Sequence, residues 1–193
     1  MPWVDVSVDF ITDLPLSNGY DSILVIVDRF SKEVEFIPCN KTVTALETAK
    51  LYLFHIWKEH GLPHTIVSDH GPQFASQVMK DLCKHLGITP KLSTAHHLQT
   101  DGQTEQMNHD LQQYLHIFTA EKQNEWVDWI VPAQFSYNTK QQSSTKKSPF
   151  EVTCMYSPRM EIEKRSTKAP AMDLLAEEIS NTLESVKKNL KQA

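Results

Sequence analysis

Three carboxylates, Asp9, Asp69 and Glu105, stand apart from the other acidic residues of this 193-residue chain because of where they fall. Asp9 lies near the end of an alternating run, Val4 to Phe10. Asp69 closes the short run Thr65 to Ser68 and precedes a Gly71-Pro72 turn, where backbone can approach a ligand closely. Glu105 sits in the first turn of a helical pattern, after a Gly102 hinge, with 35 residues between it and Asp69. Three acidic groups gathered at one sheet end repel each other. Divalent cations relieve that repulsion, and hard oxygen donors select Mg²⁺ or Mn²⁺. Two such ions can clamp a phosphate between them.

The elements that must position these groups follow from hydrophobic period. Val4, Val6, Val8 and Phe10 alternate with Asp5, Ser7 and Asp9, the pattern of a half-buried strand with one polar face. Asn18-Gly19 is a turn signal leading into a strand over Tyr20 to Asp28, apolar enough in its centre to be covered on both faces. Val34 to Pro38 gives a third, shorter strand, so the chain opens as an antiparallel meander. A helix starts at Thr44 with Glu47 as a capping box and stops at Gly61. Strands over Thr65 to Ser68 and Thr89 to Leu92 flank a helix from Ser76 to Leu86. Further helices are predicted over Gln103 to Glu121, over Trp126 to Tyr137 despite Pro132, and from Ser148-Pro149 through Tyr156. Ala171 to Leu190 reads as a lone amphipathic helix. The predicted fold class is α/β, a mixed five-stranded sheet flanked by helices, with a C-terminal linker helix. Residues 1–158 form the core and 159–193 the linker and terminal helix.

Composition excludes several classes. The longest apolar run, Ile23 to Val27, is far too short for a membrane span, and MPWVDVSVDF has no signal-peptide pattern. Cys39, Cys83 and Cys154 form no Cys-x-x-Cys pair, so buried reduced thiols are expected. Residues 1–155 carry 12 Lys/Arg against 18 Asp/Glu, and arginine occurs only at Arg29, Arg159 and Arg165. A polyanionic ligand would have to be held largely by Lys and backbone amides.

The segments VDFITDLP, YDSILVIVDRFSK, HGLPHTIVSDHGPQF, STAHHLQTDGQTEQMN and FSYNTKQQSSTKKSPFEV resemble successive blocks of the integrase catalytic core of gypsy-type LTR retrotransposons, a branch of the retroviral integrase superfamily. The resemblance spans about residues 2 to 159. It implies an RNase H-like fold and a D,D-35-E polynucleotidyl transferase that processes 3′ ends and transfers element DNA into target DNA. The family's carboxylates fall on Asp9 through VDF, on Asp69 through SDHGPQF and on Glu105 through DGQTE, which would bind two Mg²⁺ or Mn²⁺ ions. It also implies DNA and self-association as partners, action in the nucleus, no membrane, and origin as the core portion of a polyprotein. Four positions depart from the family pattern: His70 and Gln106 replace cations, and His96 and Leu98 replace an aromatic residue and a proline.

Other groups have simpler readings. Asp5 points the same way as Asp9, and Asp28 reads as a turn cap or ion pair. His96 and His97 read as polar loop residues. Gln106, His109 and His116 lie on the helix of Glu105, where contact with DNA phosphate is one reading and an exposed polar face the other. Lys140, Lys146 and Lys147 are the basic cluster of the core, read either as a surface loop or as a DNA contact. Trp126, Trp129, Phe135 and Tyr137 have helical spacing and are read as packing. Two further functions stay open beside the integrase reading: a catalytically inactive integrase-derived module that binds DNA or protein, motivated by the lost cations, and a general nuclease.

Overall fold

The computed structural model of the chain describes residues 1–68, 74, 76–92, 123–159, 173, 174, 176, 177, 179–182 and 184. Five strands form one sheet: β1 (Asp5–Ile11), β2 (Ser22–Asp28), β3 (Val34–Cys39), β4 (Thr65–Ser68) and β5 (Thr89–Leu92). Their order is β3-β2-β1-β4-β5. The first three pair antiparallel, while β4 joins β1, and β5 joins β4, in parallel. The mixed sheet expected from the meander and the later strand-helix-strand alternation is therefore present.

Two layers cover the sheet. On one face, Val6, Val8, Leu24, Ile26 and Ile37 pack against Tyr52 and Ile56. These come from α1 (Ala45–Tyr52) and the π-helical stretch Leu53–Trp57 that carries it into a final turn, α2 (Lys58–His60). The predicted capping box starts α1, with Thr44 and Glu47 each bonded to the other's backbone. The helix α3 (Gln77–His85) begins at the N-cap Ser76, as predicted. On the opposite face, Ile11, Ile23, Val25 and Phe36 pack against Trp126, Ile130, Ala133 and Tyr137 of α4 (Trp126–Thr139). Trp126 and Tyr137 are core residues as expected, and Trp129 and Phe135 are half-buried. A short helix, α5 (Pro149–Cys154), follows with its own capping box between Ser148 and Glu151.

The edge strand β3 is bound by side chains of α4. Asn138 accepts from the Val34 amide through Oδ1 and donates to the Val34 carbonyl through Nδ2, both at 2.9 Å. Gln134 accepts from the Phe36 amide at 2.9 Å, and its Nε2 reaches round the edge to Glu35 at 2.6 Å. Asn18 and Gly19 both have positive φ, 49° and 86°, in a tight turn closed by a Ser17–Tyr20 bridge.

Three expectations are corrected. The face of β1 that carries Ser7 and Asp9 is less open than a solvated face, since β1 lies at the centre of the sheet, Ser7 is buried and Asp9 half-buried. Strand β2 begins at Ser22 rather than Tyr20, since the Asn18-Gly19 turn lies within the β1–β2 connection. Cys39 and Cys83 are buried thiols, but Cys154 is exposed at the end of α5. The predicted helix over Gln103 to Glu121 lies outside the described residues. In the predicted C-terminal helix, the described residues 173, 174, 176, 177, 179–182 and 184 are helical.

Candidate active site

Asp9 is half-buried in the C-terminal half of the central strand, opposite Val25 of β2. Directly paired residues of antiparallel strands project to the same face. Val25 packs against α4, so the Asp9 carboxylate lies on the α4 side of the sheet, while its neighbours Val8 and Phe10 face α1 and α3. Its Oδ1 accepts from the Phe10 amide at 2.8 Å, which orients the group. On the other side of β1, Val8 pairs in parallel register with Ser68, the last residue of β4. The residue that follows each member of this pair in sequence is an aspartate, Asp9 and Asp69.

Asp69, Glu105, Gln106 and His109 lie outside the described residues, as do His70, His96, His97, Leu98 and His116. Among the described residues no three His, Cys, Asp or Glu side chains cluster as a metal site. The donor chemistry nevertheless fits the implied ions, because carboxylate oxygens are the ligands that Mg²⁺ and Mn²⁺ prefer. Asp9 supplies one on a strand held on both sides.

Asp28 is fully buried and accepts from the Ser31 amide at 2.9 Å, from the Ser31 hydroxyl at 2.5 Å and from the Phe30 amide at 3.3 Å. It caps the β2–β3 turn, as its sequence context indicated. Asp5 is exposed at the start of β1.

The three lysines do not gather around Asp9. Helix α4 runs from Trp126, whose indole donates to the Pro15 carbonyl beyond the C-terminal end of β1, to Asn138 at Val34 on β3. Val34 pairs with Val27, and Val27 with Ser7. Lys140, Lys146 and Lys147 therefore follow α4 toward the β2–β3 turn, whose Arg29 amide donates to the Asp5 carbonyl. The four residues from Asp5 to Asp9 span about 13 Å of strand, and β3 lies two strand spacings, roughly 10 Å, from β1. Sequence spacing alone could not show this, since it depends on the direction in which α4 crosses the sheet.

One strongly perturbed carboxyl escaped the sequence reading. Glu35 on β3 is pushed up to about 7, chiefly by burial, with Glu59 and Glu33 adding to the shift and the Gln134 hydrogen bond opposing it. It stands on the edge strand, two strands away from Asp9.

A family model described as "Integrase core domain" matches residues 5–98. The transposon Tf2-3 polyprotein of Schizosaccharomyces pombe is 36% identical over 189 residues, which is 98% of this chain. The chain spans 14% of the length of that relative. Among solved structures, the HTLV-2 integrase catalytic core domain in complex with magnesium superposes with a TM-score of 0.62. It is 22% identical, covering 79% of this chain and 97% of that one. The BIV integrase catalytic core domain gives 0.63 at 24% identity, covering 79% and 95%. These likenesses establish the RNase H-like fold.

Proposed function

We propose, from the match of residues 5–98 to the integrase core domain model, that this chain is the catalytic core of a retrotransposon integrase, joining element DNA to chromosomal DNA in the nucleus by metal-dependent phosphoryl transfer. One observation carries this reading. The central strand holds Asp9 oriented by the Phe10 amide, and the parallel register Val8–Ser68 ends one residue before Asp9 and one residue before Asp69. Identity to a stretch of transposon polyproteins supports the element origin.

Asp9, Asp69 and Glu105 would hold two Mg²⁺ or Mn²⁺ ions. Such ions, when bound, supply charge neutralisation at the phosphate and lower the pKa of the attacking water or 3′-hydroxyl. The task of this chain is then to fix the donors. Pairing with Val25 of β2, one residue beyond the last β1–β4 pair, fixes the Asp9 backbone, and the Phe10 amide restricts its side chain. The attacking oxygen comes from water or from DNA, so no side chain forms a covalent intermediate. Rate enhancement resides in positioning and electrostatics, and loss of one carboxylate abolishes turnover rather than altering specificity. Self-association is supported by Leu46, Leu53, Phe54 and Trp57, exposed along α1 and the π-helical stretch after it.

The test is a strand-transfer assay with Mn²⁺ and a matched element end. Joined products from the wild-type chain, absent with Asp9→Asn, are the expected result. Nicking without joining would make the protein a nuclease, and no product at all would make it an interaction module. Either outcome overturns the proposal.

A further inference from the structure

At the β2–β3 turn, away from Asp9, lies an open groove of about 900 Å³. Phe30 at the tip of the turn and Tyr156 just after α5 line it, and both rings are largely exposed, 56% and 61%. Tyr156 is braced edge-on by Phe150, with ring centroids 5.4 Å apart at 87°. Lys147 lines the same groove. Its loop is pinned from within: the Gln142 amide donates to the Lys147 carbonyl, the Lys146 amide to the Gln142 carbonyl, and the Thr145 hydroxyl to the Lys147 carbonyl. The lysines are thus presented on a preformed loop, which lowers the ordering cost of binding.

Charge around the groove runs against that of the chain. Arg29 and Lys32 flank Phe30, Lys140 and Lys146 belong to the pinned loop, and Arg159 lies two residues after Ser157; set against these is Glu33, whose carboxylate accepts from Trp3 and from Thr153 of α5. Two of the three arginines of a chain with net charge −5 thus cluster by sequence at this one place. Among the described lining residues the acidic one is Glu151, whose carboxylate is engaged by Ser148 and Ser157.

We infer that this groove is a second nucleic-acid site, separate from the carboxylates, which takes unpaired nucleotides by stacking bases on Phe30 and Tyr156 while Lys147 and its neighbours hold the phosphates. Exposed aromatic platforms beside cations are how proteins bind single strands without sequence preference, because every base has a π-face. Bases inside an intact duplex are already stacked and cannot use the rings, so the groove discriminates single-stranded or frayed DNA from duplex.

The test measures anisotropy of a fluorescein-labelled oligothymidylate and of a blunt duplex of equal length, between 50 and 200 mM salt. The variants are Phe30→Ala/Tyr156→Ala, Tyr156→Phe and Lys146→Ala/Lys147→Ala. All the altered side chains are exposed, and Tyr156→Phe keeps the ring as a control. The double ring deletion should weaken single-strand binding about tenfold or more, and duplex binding far less. Tyr156→Phe should bind like the wild type. The lysine pair should flatten the single-strand salt slope by up to about 1.4. Failure of the wild-type chain to bind the single strand at 50 mM salt, equal losses on both DNAs, or no loss on removing the rings overturns the inference. Joining activity measured on the same proteins is a separate readout. A chain that binds the single strand but joins nothing refutes the proposed activity and leaves the groove standing.

Discussion

Replacing Glu35 by glutamine isolates the free energy of one buried carboxyl. In the folded protein its pKa is raised from the ordinary 4.5 to about 7, chiefly by burial. Between those values the folded chain keeps a proton that the unfolded chain has released. Stability contributed by this group is therefore complete below about pH 4.5 and is lost as pH rises through about 7. A shift of about 2.5 units corresponds to roughly 3.4 kcal/mol, and because Glu35 is only half-buried, solvent screening reduces this to about 1–2 kcal/mol. Glu35→Gln keeps the shape and an oxygen to accept from Gln134, but never ionises. Urea unfolding of both proteins at pH 4.5, 6 and 8 should give nearly equal stabilities at the lowest pH. At pH 8 the variant should be more stable by about 1–2 kcal/mol. A difference that stays constant across the three values would refute the assignment of the penalty to this carboxyl.

Three other perturbations have defined outcomes. Asn138→Ala leaves the buried Val34 amide and carbonyl without partners, which should cost about 2–4 kcal/mol and lower Tm by roughly 5–15 °C in calorimetry. Among the described residues the buried Tyr52 hydroxyl has no hydrogen-bond partner, so Tyr52→Phe should be neutral or stabilise by up to about 1 kcal/mol in urea unfolding; a clear loss would reveal a partner for that oxygen. Asp9→Asn should hold or raise Tm in EDTA and abolish the rise that Mg²⁺ produces in the wild type; a fall of several degrees in EDTA would make Asp9 structural rather than a metal ligand.

Much of the scaffold was legible because its signals are local. The capping box at Thr44, the helix start at Ser148-Pro149, the Asn18-Gly19 turn and the two strand periods are each complete within a few residues. The blocks VDF and SDHGPQF put an aspartate one residue after each member of the Val8–Ser68 pair. What stayed hidden is non-local. The polar face of β1 reads as solvated because nothing in VDVSVDF tells that β4 and β2 will place it at the centre of the sheet. The lysine cluster could not be separated from Asp9 without the direction of α4. Gln134 and Asn138 are spaced four apart on a helix, the one trace of their shared duty at β3, and the spacing does not reveal that they reach backbone rather than water. Glu35 lacks even that trace, since its raised pKa comes chiefly from burial, which no local pattern announces.

The amides that face outward from the two sheet edges have a consequence for how copies of this protein can meet. On β3 the outward positions are Val34, Phe36 and Pro38: the first two amides are taken by Asn138 and Gln134, and the proline has none. On β5 the Thr89 amide turns inward to the His64 carbonyl, which leaves Pro90 facing out, again with no donor. Among the described residues, the outward amides of β3 are thus closed to a foreign strand, and Pro90 withholds one on β5. Pairing of copies through the β3 margin is thereby disfavoured, which shifts assembly toward helices and loops, where contacts are finite and can close.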